Sequence, residues 1–178
     1  MRSLLAILVA LLLTACVTPE AANQSSVRAL TTGLYPSLPP KKISIAVVGF
    51  VPLGKDEVPS DAFSAYLVEE LTLRLVADGR VGVAERAQLE KVVKELKLQS
   101  SGMVSDQTAK QLGQLLGVDG VLLGTYMDQG KEIKVNQRLI GTESGQVLAA
   151  SSVMFAKNKL IKKLLGTTRP PRPPKARR

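Results

Sequence analysis

The chain of 178 residues carries 24 Lys and Arg against 15 Asp and Glu, has no His or Trp and a single Cys, and is 45% hydrophobic. One cysteine excludes a disulfide within the chain, and the lack of His removes imidazole catalysis and the commonest nitrogen ligand for metals. The length fits one domain plus tails, with enough apolar residues for a compact core.

The net charge of +9 is unevenly placed. From Cys16 to Ala156 fourteen basic residues face fifteen acidic ones, whereas nine basic residues and no acidic one lie beyond Ala156. The folded part is therefore near neutral, and the C-terminal end holds the excess.

Residues 1–15 begin with Met1 and Arg2 and then run from Leu4 to Leu13 without a polar residue. Ten apolar positions are too few for a spanning helix, which needs about 20, and they suit the apolar region of a secretory signal. The run ends in Leu13-Thr14-Ala15-Cys16, which resembles the lipobox of bacterial lipoproteins. That resemblance implies cleavage between Ala15 and Cys16, a diacylglyceryl group on the Cys16 sulfur and an acylated new amino group. The cysteine then serves as an anchor. Val17, where an aspartate would signal retention in the inner membrane, implies the outer membrane by the same resemblance. A buried or free cysteine is one alternative, and a short apolar anchor kept uncleaved is another.

Residues 16–42 are rich in Ser, Thr, Ala and Pro without a sustained period, so they read as a flexible tether. The folded unit is expected over residues 43–156. "KISIAVVGF" fits a strand covered on both faces. From Asp61, Phe63, Leu67, Leu71 and Leu75 recur at helical spacing with Val68 and Val76 alongside, Ser60 or Asp61 as cap and Gly79 past the end. "RVGVAER" gives a short strand. A second helix presents Leu89, Val92, Val93 and Leu96, with Glu90 placed to pair with Lys94. A third begins after Ser105, turns Ala109, Leu112 and Leu116 inward and stops at Gly117. "GVDGVLLGTYM" returns as a strand. "KEIKVNQRLI" alternates Ile133, Val135 and Leu139 against Lys134, Asn136 and Arg138, the pattern of a strand wet on one face. "VLAASSVMF" closes the unit after a turn at "GTESGQ". The order β-α-β-α-α-β-β-β predicts a single α/β sandwich, with helices packed on a sheet that ends in an antiparallel meander.

Residues 157–178 divide in two. In "AKNKLIKKLLG", Leu160, Ile161, Leu164 and Leu165 take one side of a helix and Lys159, Lys162 and Lys163 the rest. Such a segment can lie on an anionic membrane or cap the core. The Pro/Arg-rich tail with Arg169, Arg172, Lys175, Arg177 and Arg178 reads as disordered, and either meets an anionic partner or is merely solvated.

Three stretches, "VGVAERAQLEKVVKELKLQSSG", "TAKQLGQLLGVDGVLLGTY" and "VNQRLIGTESGQVLAASS", resemble in order and spacing the periplasmic domain of FlgO-type outer-membrane lipoproteins. They are also similar to the related CsgG-type curli secretion lipoproteins and the LpoB-type activators of penicillin-binding proteins. The resemblance implies a lipid-anchored outer-membrane protein facing the periplasm that scaffolds or assists an envelope structure, the flagellum first. An LpoB-like activator of a peptidoglycan synthase is the alternative, and a curli-type secretion component a third reading. Pore formation needs strands surplus to the domain, and both alternating segments are used up in the meander.

No catalytic, cofactor or metal residues are expected. Glu69 and Glu70 are adjacent and point about 100° apart on a helix, and neither GxxxxGK[ST] nor GxGxxG occurs. The expected ligands are the covalent lipid on Cys16, envelope or flagellar proteins, and a second copy of the chain. Lipopolysaccharide or peptidoglycan can be reached through Lys159, Lys162, Lys163 and the tail. Nucleic acid is excluded by the compartment.

Overall fold

The computed structural model describes residues 19–54, 60–95 and 106–166. The chain opens not with a tether but with a helix, α1 (Pro19–Leu34), followed by a short 3-10 turn (Tyr35–Ser37). Then come β1 (Ser44–Pro52), α2 (Asp61–Asp78), β2 (Gly82–Val83), α3 (Arg86–Glu95) and α4 (Asp106–Leu116). The chain continues through β3 (Gly120–Asp128), β4 (Glu132–Gly141), β5 (Val147–Ala156) and α5 (Lys159–Gly166).

The strands form one five-stranded sheet in the order β2-β1-β3-β4-β5, with β1 parallel to β2 and β3 and the last three strands an antiparallel meander. Ile45 and Val47 of β1 join a core that includes residues of α1, α2 and α5, while Ala46 packs on the opposite face with Leu89 of α3 and Leu112 of α4. Strands β1 and β3 are thus covered on both sides, which explains their unbroken apolar runs. In β4, Ile133, Val135 and Leu139 are buried while Lys134 and Arg138 are exposed, as the alternation requires.

Helix α2 follows its pattern: Phe63, Leu67, Leu71 and Leu75 are wholly buried and Val68 nearly so. Ser60 Oγ accepts from the Phe63 N–H at 3.2 Å, and Gly79 ends the helix at φ 66°. Val76 departs from the expectation, being 60% exposed, because at about 100° per residue it falls about 160° from the middle of the Phe63–Leu75 stripe, whereas Val68 falls only about 80° from it. In α3, where the sequence suggests Lys94 as partner, Glu90 pairs with Arg86 at 2.8 Å. Leu96 and Ser105 lie outside the described residues.

The expected tether over residues 16–42 is corrected by α1. Val27, Leu30 and Leu34 are buried in the main core, and the helix is bolted to β5 by polar contacts. Asn23 Nδ2 donates to the Ala156 carbonyl at 3.1 Å and Asn23 Oδ1 accepts from the Ala156 N–H at 2.8 Å. Ser26 Oγ donates to the Met154 carbonyl at 2.7 Å. These bonds satisfy groups on the open edge of the sheet that would otherwise be available to another strand. Gly33 lets helix and strand approach closely, since a Cβ there would stand 2.7 Å from Ser151 Cβ.

Candidate functional site

Two cationic features mark opposite ends of this domain. The first is a cleft of about 410 Å³ formed by Tyr35, residues 38–43, Gly79 and Arg80. It arises where the C-terminal ends of α1 and α2 meet the start of β1. Tyr35 donates its hydroxyl to Asp78 Oδ2 at 2.6 Å, and Asp78 also holds Arg74 at 3.1 Å. The Arg80 guanidinium lies 4.7 Å from the centre of the Tyr35 ring, a cation–π distance. Burial, and then the hydrogen bond to Asp78, push the Tyr35 phenol up to about 12, so it stays neutral as a hydrogen-bond donor at any physiological pH. Lys41, Lys42 and Arg80 are exposed at the rim. The nearby strand starts are fixed by Asp119, which accepts from Ser44 N at 2.7 Å and Ser44 Oγ at 2.8 Å. Those bonds hold its carboxyl below the usual range.

The second feature is α5, at the far end of the sheet. With about 3.3 Å per residue, the nine residues of β1 separate the two ends by roughly 30 Å. Asn158 caps α5 by accepting from the Ile161 N–H at 2.9 Å, and Ser60 Oγ donates to the Leu164 carbonyl at 2.7 Å. Ile161 is wholly buried and Leu164 and Leu165 pack on the core. Of the two readings of this segment, core capping therefore accounts for three of its four apolar residues. Leu160 stays 41% exposed, beside exposed Lys159, Lys162 and Lys163.

Ala15, Cys16, Arg169, Arg172, Lys175, Arg177 and Arg178 lie outside the described residues. Among the described residues no group of acidic or thiol side chains is arranged to hold a metal, and no helix is long and apolar enough to cross a membrane. The cleft escaped sequence reading. Tyr35, Lys41 and Lys42 fell within the assumed tether, and Arg80 reaches them only through the packing of α1 against α2. The one available signal was Tyr35 ahead of the Pro39-Pro40 turn.

The sequence positions that carried the family resemblance prove architectural. A Cβ on Gly113 would fall 1.9 Å from Thr142 Cγ2, and Thr142 Oγ1 donates to the Val118 carbonyl at 2.7 Å. The helix end and the β4–β5 turn thus form one packed corner.

Comparison with known proteins agrees with this architecture. The LpoB C-terminal domain from Salmonella enterica superposes with a TM-score of 0.55 at 14% identity, covering 77% of this chain and 97% of that one. The LpoB C-terminal domain from Escherichia coli gives 0.54 at 15% identity over the same shares of the two chains, 77% and 97%. The solution structure of E. coli LpoB gives 0.54 at 14% identity, covering 74% of this chain and 64% of that one. At such identities the likeness concerns the fold. No curated protein matches the sequence. The family model described as FlgO protein matches residues 25–160, from within α1 to the start of α5. The chain belongs to the FlgO family.

Proposed function

We propose that this chain is a non-catalytic lipoprotein, held at the outer membrane through Cys16, whose domain scaffolds or assists assembly of an envelope structure associated with the flagellum. The observation that carries this reading is the family match over residues 25–160, which takes in the whole sheet and the cleft. Among the described residues the polar clusters lie at caps, strand ends and the Tyr35–Asp78–Arg74 contact, an arrangement that supports a binding role. Exposed cations at the cleft rim suit an acidic stretch on a partner protein.

A second reading, an LpoB-like activator of a peptidoglycan synthase, is favoured by the likeness to LpoB C-terminal domains. The position of α1 weighs against it. With Cys16 acylated, only Val17 and Thr18 precede the helix, a reach of about 10 Å at ~3.3–3.6 Å per residue. Such a leash keeps the domain beside its own membrane rather than extending it towards a synthase across the periplasm.

Photo-crosslinking from positions 42 and 80 in living cells, followed by identification of the captured protein, tests the two. Capture of a flagellar envelope component, with swimming lost and cell shape normal in a deletion strain, is the expected result. Capture of a penicillin-binding protein with swimming intact overturns it in favour of the second reading.

A further inference from the structure

We propose that the end of the domain bearing α5 rests on an anionic phospholipid surface, with Lys159, Lys162 and Lys163 against headgroup phosphates and the cleft held away from the bilayer. The orientation rests on Cys16 being the lipid anchor; the docking surface itself does not.

Three independent features converge on that end. The first is the leash: α1 begins at Pro19, so acyl chains on Cys16 must enter the bilayer within about 10 Å of its first turn. That turn cannot swing free, because Asn23 is hydrogen-bonded to Ala156, the last residue of β5. The second is α5 itself, which starts just after Ala156 and ends beside Ser60, the N-cap of α2. It therefore lies across the end of the core that faces the anchor. At 3.6 residues per turn its three lysines fall within an arc of about 100° opposite Ile161, which is wholly buried. Leu160 stands about 60° beyond the edge of that arc and is 41% exposed, placed to enter the acyl boundary as on other interfacial helices. The third is a matter of charge alone: residues 167–178, which follow α5 directly in sequence, include Arg169, Arg172, Lys175, Arg177 and Arg178 with no acidic residue.

The acidic groups nearby do not cancel this charge. Glu20 and Glu132 are exposed at this end and offset part of it, but Lys131, Lys159, Lys162 and Lys163, also exposed, outnumber them, and Asp128 is already paired with Lys157. Burial acts to raise the Asp128 carboxyl, but the Lys157 ammonium and the Gly130 N–H outweigh it and hold the group ionised at lower pH than usual. Phospholipid phosphates match the arrangement because the lysines lie on one flat helical face beside a partly exposed leucine rather than around a pocket.

The test is lysine acylation of the purified full chain on vesicles of phosphatidylethanolamine with phosphatidylglycerol, compared with phosphatidylcholine alone, after mass spectrometry of Cys16. On the anionic vesicles Lys159, Lys162 and Lys163 are expected to label severalfold more slowly, with Lys41 and Lys42 unchanged. The triple variant K159E/K162E/K163E removes the labelled groups and is read at exposed Lys131 of the same end, which should be protected on anionic vesicles in the parent chain and lose that protection in the variant, while the variant still floats with the vesicles through its lipid. Equal labelling of both ends, or protection of Lys41 and Lys42 instead, overturns the proposal. If Cys16 carries no lipid, the anchor reading fails on its own. The docking surface is then read by flotation of the unlipidated chain, which must occur on anionic vesicles and weaken by at least about 100-fold in the triple variant, at about fivefold per lysine. Absence of flotation overturns it.

Discussion

Tyr35 shows how a single side chain can be read for its physical role before its partner is known. Its phenol is raised to about 12, first by burial and then by the hydrogen bond to Asp78, whereas an unfolded tyrosine titrates near 10. The folded state therefore holds the proton more tightly. The resulting stabilisation is complete below about pH 10 and is lost as the pH rises towards about 12. Chemical denaturation across that window should show stability falling with pH, and Tyr35→Phe should flatten the fall. The same variant should cost about 0.5–1.5 kcal/mol at neutral pH through the lost hydrogen bond, since Asp78 keeps Arg74. At this scale much of the fold was legible. Ser60, Gly79 and Gly117 stood where helix ends need a cap or a left-handed residue, and the structure gives Gly79 and Gly117 a φ of 66°. The Gly113–Thr142 contact was not legible as a contact, because 29 positions separate the two and only the sheet order brings them together.

Among the elements, α1 is the instructive miss. Its inward positions are Asn23, Val27, Leu30, Thr31 and Leu34, all buried. Two of the five are polar, which dilutes the apolar period that identifies an amphipathic helix. The polar pair is tolerated because Asn23 finds Ala156 and Thr31 Oγ1 donates to the Arg28 carbonyl at 2.9 Å. Nothing in a sequence window reveals such partners, so composition alone suggested a tether. The strands fared better because β-branched runs and alternation depend only on which faces are covered. Asn23→Ala tests how far these polar contacts hold the helix to the sheet. It would leave both the N–H and the carbonyl of Ala156 unpaired at a site where Asn23 is only 3% exposed, an expected loss of about 1–3 kcal/mol. Hydrogen exchange at Ala156 should rise above the global change, since the edge of β5 is uncovered there. Uniform exchange across β4 and β5 would mean that α1 holds the sheet by apolar packing alone.

At the scale of the whole molecule, the helix that replaced the tether changes what the protein can reach. On the proposed anchoring through Cys16, a domain joined to its lipid by two residues would be oriented as well as attached, with α5 towards the bilayer and the cleft roughly one strand length, about 30 Å, away from it. An orientation of this kind matters only if the partner lies at a fixed height above the membrane, and that can be tested by loosening it. Inserting about 20 Gly and Ser residues between Thr18 and Pro19 adds a coil with a root-mean-square span of about 25 Å, enough to let the domain tumble while Cys16 and the fold stay intact. If the cleft engages a neighbour assembled close to the membrane, swimming should fall sharply, although the protein still fractionates with the outer membrane at normal abundance. A rigid helical insert of equal span should be worse, because it moves the cleft away from that height without giving it the freedom to return. Full motility with both inserts would show that attachment alone is what the protein needs, and that the cleft acts at no particular distance from the lipid.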